Sequence, residues 1–128
     1  YVNGKPTTVI SGDLSFLYDS NALWNKHLSS NLRIIVINNG GGNIFRIIPG
    51  PASLGKEILE EYFETKHDVD ISHIAQAFGI PYYICDSLGG LEQTLPQFYG
   101  FNDGKCAILE IKTPNETSAN NLKKYLNI

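Results

Sequence analysis

Four short apolar segments alternate along this chain with segments whose apolar residues recur at a helical period. The apolar segments are rich in Val, Ile and Tyr and cover residues 7–12 (TTVISG), 32–39 (LRIIVINN), 80–86 (IPYYICD) and 106–113 (CAILEIKT). Strands that are apolar throughout are typical of parallel sheets, which are covered on both faces. The alternation therefore predicts a doubly wound, mostly parallel α/β sheet with helices on both faces.

The helical periodicity predicts five helices, at residues 19–28, 55–63, 70–78, 88–99 and 118–126. A chain of 128 residues is long enough to close one core and too short to be expected to hold two. The whole range 1–128 is therefore predicted to be a single domain.

Composition and charge exclude several classes of partner. The net charge is −3 and the basic residues are not clustered, so a nucleic-acid surface is not expected. No apolar run is long enough for a membrane span, and the first residues lack the layout of a signal peptide. We therefore expect a cytoplasmic protein, with Cys85 and Cys106 as buried, reduced core thiols.

Polar and glycine-rich clusters follow the first two predicted strands. The first strand ends at GDLS (12–15) and the second at NNGGG (38–42). In doubly wound sheets, ligands bind beyond the carboxyl ends of the strands. Both clusters are therefore predicted to lie on the same rim of the sheet.

The residue types on this rim suit a Mg²⁺ ion bound to phosphate. Mg²⁺ takes six oxygen ligands and is usually held by few protein groups together with phosphate oxygens and water. Asp13, the side chain of Asn39 and the carbonyl of Gly41 could supply three ligands, with two phosphate oxygens and one water completing the octahedron. Alternatively, Asp13 only caps a helix and the Asn-Gly segment is an ordinary turn.

Further groups on the rim could bind the rest of a diphosphate. Backbone amides at a helix start or in a glycine-rich turn attract anions. The candidates are Ser15, the amides of Leu14 and Gly42, and Asn43.

Three stretches carry a resemblance to a known family: GDLSFLYDSNAL, NNGGGNIF and FETKHDVDISHIAQAFGI. They resemble thiamine-diphosphate-dependent enzymes, and in particular the 2-succinyl-5-enolpyruvyl-6-hydroxy-3-cyclohexene-1-carboxylate synthase family of menaquinone biosynthesis. The resemblance covers almost the whole chain but only the last, diphosphate-binding domain of a longer multidomain enzyme. It implies a C-terminal domain truncated from such an enzyme.

The resemblance also implies a cofactor, thiamine diphosphate, with Mg²⁺ or Mn²⁺. Its metal ligands would be Asp13, Asn39 and the Gly41 carbonyl. Leu14, Ser15 and the turn from Gly41 through Gly42 to Asn43 would hold the diphosphate, and Ile44 and Phe45 would form an apolar wall near the reacting ring. One departure is Gly40, where relatives often carry Asn or Asp, so only a backbone role is implied there.

The implied reaction decarboxylates 2-oxoglutarate and adds the succinyl unit to isochorismate, in a homodimer or a dimer of dimers. The family's activating glutamate comes from the pyrimidine domain of a neighbouring subunit and has no match here. No catalytic residue is therefore assigned to this chain, and the isolated chain is predicted to be inactive. Arg46 is a candidate substrate contact, although an arginine on a rim is more often simply solvated.

Two alternatives remain open at this stage. The chain could belong to another thiamine-diphosphate enzyme, such as a 2-oxoacid decarboxylase or an acetolactate-synthase-like enzyme. It could instead be a non-catalytic α/β binding module in which Asp13 and Asn39 are ordinary caps. Asp19 is predicted to be a helix N-cap, and His67 has no partner that the sequence reveals.

Overall fold

The computed structural model describes residues 5–100 and 103–127. Its strands are β1 (Thr7–Gly12), β2 (Leu32–Asn38), β3 (Tyr82–Cys85) and β4 (Ala107–Lys112), and its helices are α1 (Asp13–Asp19), α2 (Lys56–Tyr62), α3 (Ile71–Ala77), α4 (Leu88–Gly100) and α5 (Asn115–Leu126). The described residues form two compact units, one drawn from the ranges 5–38 and 70–112 and one from the ranges 39–69 and 113–127. The prediction of one domain over residues 1–128 stays a prediction.

The first unit contains the sheet, with strand order β1-β2-β4-β3 and every pairing parallel. Successive residues of a strand face opposite sides of a sheet. Ile34, Val36 and Ile108 accordingly pack on one face against residues of α1 and α3. Ile35 and Leu109 pack on the other face against α4. The predicted parallel α/β sheet with helices on both faces is therefore confirmed.

One helix prediction was wrong. The segment at 19–28 does not form a helix: α1 ends at Asp19, and a short 3-10 turn covers Ser20–Trp24. Asn25 then adopts an extended conformation, and its side-chain oxygen accepts the amide hydrogen of His27 at 2.8 Å. Such local side-chain bonds give the backbone an alternative to a helix. Asp19 does precede the 3-10 turn, but its side chain makes no capping bond there.

The second unit consists of the segment after β2 together with α2 and α5. Two 3-10 turns, Asn43–Arg46 and Pro51–Ser53, precede α2. Within this unit α5 lies against the turn at Asn43–Arg46. The helix α5 begins at Asn115, earlier than the predicted residue 118, because Pro114 precedes its first turn and accepts the amide hydrogen of Ser118. Across the described residues, no helix has the length and apolar character of a membrane span.

Candidate functional site

The carboxyl ends of β1 and β2 lie side by side in the first unit. Gly12, the last residue of β1, pairs in parallel register with Ile37 of β2. Asp13 follows Gly12 and Asn38 follows Ile37, so the ends of the two strands are level. This register agrees with the prediction that both strands end on one rim of the sheet.

Asp13 is the first residue of α1, and its side chain is buried, with 3% of the residue exposed. A buried carboxylate is costly unless polar groups or a cation compensate it. One carboxylate oxygen, Oδ1, accepts the amide hydrogen of Leu14 at 2.8 Å. The N-cap residue of α1 is Gly12 and carries no side-chain capping bond, so Asp13 is not the helix cap that the sequence left open as an alternative. Ser15, the next predicted phosphate contact, is exposed.

The glycine-rich turn opens the second unit. Gly40 and Gly41 have positive φ angles of 79° and 153°, which glycine adopts far more easily than other residues. A Cβ on Gly41 would stand 2.7 Å from the carbonyl oxygen of Glu64, too close for two non-bonded atoms. Glycine is therefore required at position 41 for two reasons: the φ angle is positive, and the Glu64 carbonyl leaves no room for a Cβ.

Main-chain groups of the turn are held by two other segments of the second unit. Asn115 donates from Nδ2 to the carbonyl of Asn39 at 3.3 Å. The amide of His67 donates to the carbonyl of Gly40, also at 3.3 Å. The turn is thus fixed by the start of α5 and by the segment that follows α2. These bonds use carbonyl oxygens, each of which has a second lone pair.

The predicted phosphate-binding amides already have acceptors within the protein. The amide of Gly42 donates to the Glu64 carbonyl at 2.5 Å, and the amide of Asn43 donates to the Gly41 carbonyl at 2.9 Å. The side chain of Asn43 is buried, and its Nδ2 donates to the carbonyl of Asn115 at 2.6 Å. The Leu14 amide likewise donates to Asp13, so each of these donors has an acceptor within the protein.

Ile44 and Phe45, the predicted apolar wall, lie in the 3-10 turn at Asn43–Arg46. Ile44 is 48% exposed, which leaves apolar surface available to a ligand. Phe45 is half-buried, and its ring meets Phe63 edge to face with the centroids 5.7 Å apart. One wall residue is therefore open and the other is fixed by packing.

Arg46 is ion-paired and only 15% of its side chain is exposed, so it is not simply solvated. Its Nε lies 2.5 Å from Oε1 of Glu64, and its Nη2 lies 2.8 Å from Oε1 of Glu60 and 2.8 Å from Oε2 of Glu64. Burial alone would lower the pKa of Arg46, but the bonds to Glu64 and Glu60 outweigh it and the pKa is raised. The sequence-based expectation of a solvated arginine was wrong because the α2 segment supplies two carboxylates.

Sequence reasoning missed Glu64, His67 and Asn115 as supports of the glycine-rich turn. Glu64 and His67 act on the turn through main-chain atoms, which any residue type could provide. Asn115 stands in a motif that reads as a glycosylation sequon, whereas its Nδ2 is bonded to the Asn39 carbonyl. The one indication in the sequence that this region belongs to the site is the stretch FETKHDVDISHIAQAFGI, which carries part of the family resemblance and contains Glu64 and His67.

A buried carboxylate also supports the end of β2 in the first unit. Glu110 of β4 is 1% exposed and accepts hydrogen bonds from Asn38 Nδ2, at 2.8 Å, and from the Tyr82 hydroxyl. Burial and the contact with Glu110 raise the pKa of Tyr82. Two donors thereby compensate a carboxylate inside the sheet, and one of them comes from the last residue of β2.

The oxygen donors predicted for a metal are those that a hard cation takes. Asp13 offers a carboxylate, Asn39 a side-chain amide oxygen, and Gly41 a main-chain carbonyl oxygen, which also accepts the amide hydrogen of Asn43. Within residues 5–100 and 103–127, no cluster of three or more His, Cys, Asp or Glu side chains is suited to hold a metal. The predicted ligand set does not require such a cluster, because it includes only one residue of these types.

Comparison with known proteins decides the family. The profile described as "Thiamine pyrophosphate enzyme, C-terminal TPP binding domain" matches residues 2–111 of the chain. The chain belongs to this family. The α/β sheet of the first unit is the fold that was predicted for a member of the family.

Three curated relatives carry the name 2-succinyl-5-enolpyruvyl-6-hydroxy-3-cyclohexene-1-carboxylate synthase. The protein of Flavobacterium johnsoniae is 45% identical over 123 residues, which are 96% of this chain and 22% of that protein. The Christiangramia forsetii protein is 43% identical over 96% of this chain and 21% of its own length. The Porphyromonas gingivalis protein is 48% identical over 93% of this chain and 20% of its own length.

The predicted resemblance to these synthases is therefore confirmed. The chain spans only 20–22% of the length of these three relatives. The name of these relatives therefore describes proteins much longer than the chain described here.

Proposed function

We propose that this chain is the C-terminal cofactor-binding part of a thiamine-diphosphate-dependent synthase. In the full-length protein, that enzyme decarboxylates 2-oxoglutarate and adds the succinyl unit to isochorismate, as a cytoplasmic homodimer or dimer of dimers. The observation that carries the proposal is the similarity to three synthases of this name over at least 93% of the chain. The alternative as a decarboxylase or acetolactate-synthase-like enzyme has no such support among these relatives.

In this proposal, residues of the chain hold the diphosphate end of the cofactor. Asp13, Asn39 and the Gly41 carbonyl would bind Mg²⁺ or Mn²⁺, whose charge offsets the repulsion between Asp13 and phosphate. When bound, thiamine diphosphate supplies the means to stabilise a carbanion after loss of CO₂. Ile44 and Phe45 would exclude water beside its reacting ring.

Binding of the diphosphate requires an exchange of hydrogen bonds. The Leu14 amide would leave Asp13 to reach a phosphate oxygen, whereas the Gly42 amide would keep its bond to the Glu64 carbonyl and Gly42 would line the diphosphate without donating to it. A metal ion that draws the Asp13 carboxylate away would free the Leu14 amide. We therefore propose that metal and diphosphate bind with positive cooperativity.

The catalytic glutamate and the groups that recognise the substrates are proposed to lie outside this chain. The isolated chain is accordingly predicted to have no activity and to bind the cofactor weakly. In the full-length protein, omission of Mg²⁺ is predicted to weaken binding of thiamine diphosphate, because the cooperativity is lost.

Calorimetry on the full-length protein with thiamine diphosphate and Mg²⁺ tests this function. Asp13→Asn keeps the shape of the side chain but removes its charge. Substitution of a residue that hydrogen-bonds to a metal ligand lowers metal affinity about 10–100-fold. Loss of a ligand itself should therefore lower the affinity at least about 100-fold. The matched control is Asp19→Asn at the exposed end of α1, which should leave the affinity unchanged.

Unchanged affinity in Asp13→Asn would contradict the metal assignment. A turnover assay with 2-oxoglutarate and isochorismate tests the reaction separately. A protein that binds the cofactor but does not consume this pair would be a different thiamine-diphosphate enzyme. A full-length protein that does not bind the cofactor at all would be a non-catalytic α/β module.

A further inference from the structure

Glu64 is fully buried in the second unit, yet no role in the proposed cofactor site is assigned to it. Its main-chain oxygen accepts the amide hydrogen of Gly42 at 2.5 Å. Its side-chain carboxylate forms an ion pair with Arg46, in which Oε2 accepts a hydrogen bond from Nη2 at 2.8 Å and Oε1 lies 2.5 Å from Nε. One residue thus contacts both ends of the segment from Gly42 to Arg46.

This segment carries the residues proposed to face the cofactor. Asn43, Ile44 and Phe45 lie between the two points that Glu64 contacts. The segment is a single 3-10 turn, and such short turns have poorer hydrogen-bond geometry than an α-helix. Contacts at both ends therefore restrict the positions that its middle residues can take.

Glu64 itself is fixed by helix α2. Its amide donates to the carbonyl of Leu59 in the last turn of that helix, at 2.9 Å, and Leu59 is buried. Thr65, the next residue, has a φ angle of 48°, which turns the chain away directly after Glu64. The neighbouring Phe63 packs against Phe45. The end of α2 therefore offers a fixed base for the turn.

A carboxylate is needed at position 64 because Arg46 presents a planar fork. The hydrogen bond from Nη2 to Oε2 joins two charged groups and is therefore stronger than a neutral hydrogen bond, and the Nε contact with Oε1 adds a second attraction between opposite charges. A glutamine has only one oxygen acceptor and would direct its NH₂ group at the second arginine donor. Glu64→Gln therefore disrupts the side-chain contact while it leaves the main-chain contact with Gly42 in place.

We propose that Glu64 is a positioning residue of the cofactor site, which acts through Arg46 and Gly42 to hold Asn43, Ile44 and Phe45 in place. This inference rests on the proposed function. Glu64 touches no cofactor atom in this scheme. Its effect is to fix the turn before the cofactor arrives, so that less ordering accompanies binding.

The test uses the full-length protein with Glu64→Gln and, as the matched control, Glu61→Gln. Glu61 lies on α2 and is exposed, so the control removes the same charge from the same helix. We expect the Kd for thiamine diphosphate at saturating Mg²⁺ to rise about tenfold in Glu64→Gln, the lower end of the effect of groups that orient ligands. Glu61→Gln should bind as the unaltered protein does.

Hydrogen exchange of the cofactor-free protein gives a second readout. We expect the peptide that covers residues 42–46 to exchange faster in Glu64→Gln, and the sheet peptide that covers β4 to be unchanged. A Glu64→Gln protein that is less stable to heat but binds the cofactor with unaltered affinity would overturn the proposal. So would faster exchange throughout the second unit with no change in affinity.

A double-mutant cycle tests whether Glu64 acts through Arg46. If it does, Glu64→Gln should cause no further loss of affinity in an Arg46→Gln protein. Full additivity of the two losses would overturn that route. If Glu64→Gln does not give folded protein, Glu64→Asp draws the carboxylate back from Arg46 by one methylene group; a raised Kd with faster exchange at 42–46 would support the proposal, and unaltered affinity and exchange would overturn it.

Failure of the proposed function would look different. In that case the unaltered full-length protein would not bind thiamine diphosphate, whatever stands at position 64. Binding by the unaltered protein together with equal binding by Glu64→Gln would overturn only the role of Glu64.

Discussion

The amide of Gly42 is hydrogen-bonded to the carbonyl oxygen of Glu64, with 2.5 Å between nitrogen and oxygen. The same carbonyl oxygen stands 2.7 Å from the place where a Cβ of Gly41 would be. Two successive glycines thus meet one carbonyl group at close range. The glycine-rich turn is therefore shaped by the protein itself as well as by any ligand that it holds.

Two glycine substitutions should have opposite effects on the free energy of unfolding, because only one of them places a methyl group against this carbonyl. Gly41→Ala would add a methyl group against the Glu64 carbonyl at a positive φ angle, so we expect a loss of about 2 kcal/mol in the free energy of unfolding. Gly89→Ala places its methyl group in open space within α4 and should be neutral or stabilising by up to about 1 kcal/mol. Urea unfolding of the full-length variants measures both, and equal effects would contradict the prediction.

Much of the fold was predictable from the sequence because the two central strands, β2 and β4, are largely buried. Such strands leave an apolar run, as in IIVI at residues 34–37 of β2, and the polar cluster NNGGG marks its end. The 3-10 turn at Ser20–Trp24 was not predictable in the same way. Its one buried apolar residue, Leu23, fits a helical period, while Asn25 ends the turn through a bond of its own side chain.

The candidate site was predictable only as far as side-chain chemistry marks it. Asp13 and the glycines stand out because a polar or flexible residue directly follows an apolar strand. The hydrogen bond between Gly42 and Glu64 was not predictable, since Glu64 accepts it with a main-chain carbonyl, which every residue type has. The pairing of Arg46 with Glu64 depends on where α2 ends, and periodicity gives helix ends poorly.

Removal of a buried charge partner should cost far more than removal of an exposed one. Arg46→Gln would leave the fully buried carboxylate of Glu64 without its main partner, so we expect a loss of about 3 kcal/mol in unfolding free energy. Lys56→Gln breaks contacts with Glu60 and Glu116 in which Lys56 is 67% exposed, and should change stability by about 0.5 kcal/mol at most. Chemical unfolding of the full-length variants compares the two. Similar losses would contradict the structural assignment.

Cys85 and Cys106 should resist alkylation in the folded protein. Both thiols are buried, with 6% and 3% of the residue exposed, and burial is the main reason why the pKa of each is raised. Because the thiolate is the reactive form, we expect labelling by iodoacetamide at pH 8 to be at least about 100-fold slower than for an exposed cysteine. Peptide-resolved mass spectrometry measures this, with Asn120→Cys on α5 as the exposed control. Labelling of Cys85 or Cys106 at the control rate would contradict the burial.

The cap of α3 should give a stability contribution that disappears in acid. Asp70 accepts hydrogen bonds from the hydroxyl of Ser72, at 2.6 Å, and from its amide, at 2.9 Å, and these bonds lower the pKa of Asp70. The ionised form is therefore favoured in the folded state. Its contribution is fully present above the unfolded pKa of about 3.9 and is lost as the pH falls through the lower folded value.

Asp70→Asn keeps a capping oxygen but has no charge to titrate. We expect its thermal midpoint to lie below that of the unaltered protein at pH 6, and the difference between the two to shrink below about pH 4. Asp68→Asn, an exposed neighbour with the same change of charge, is the control and should show a smaller difference at pH 6. Thermal unfolding of the full-length proteins from pH 3.5 to 6.5 measures these differences. A difference that grows toward low pH would contradict the sign worked out for Asp70.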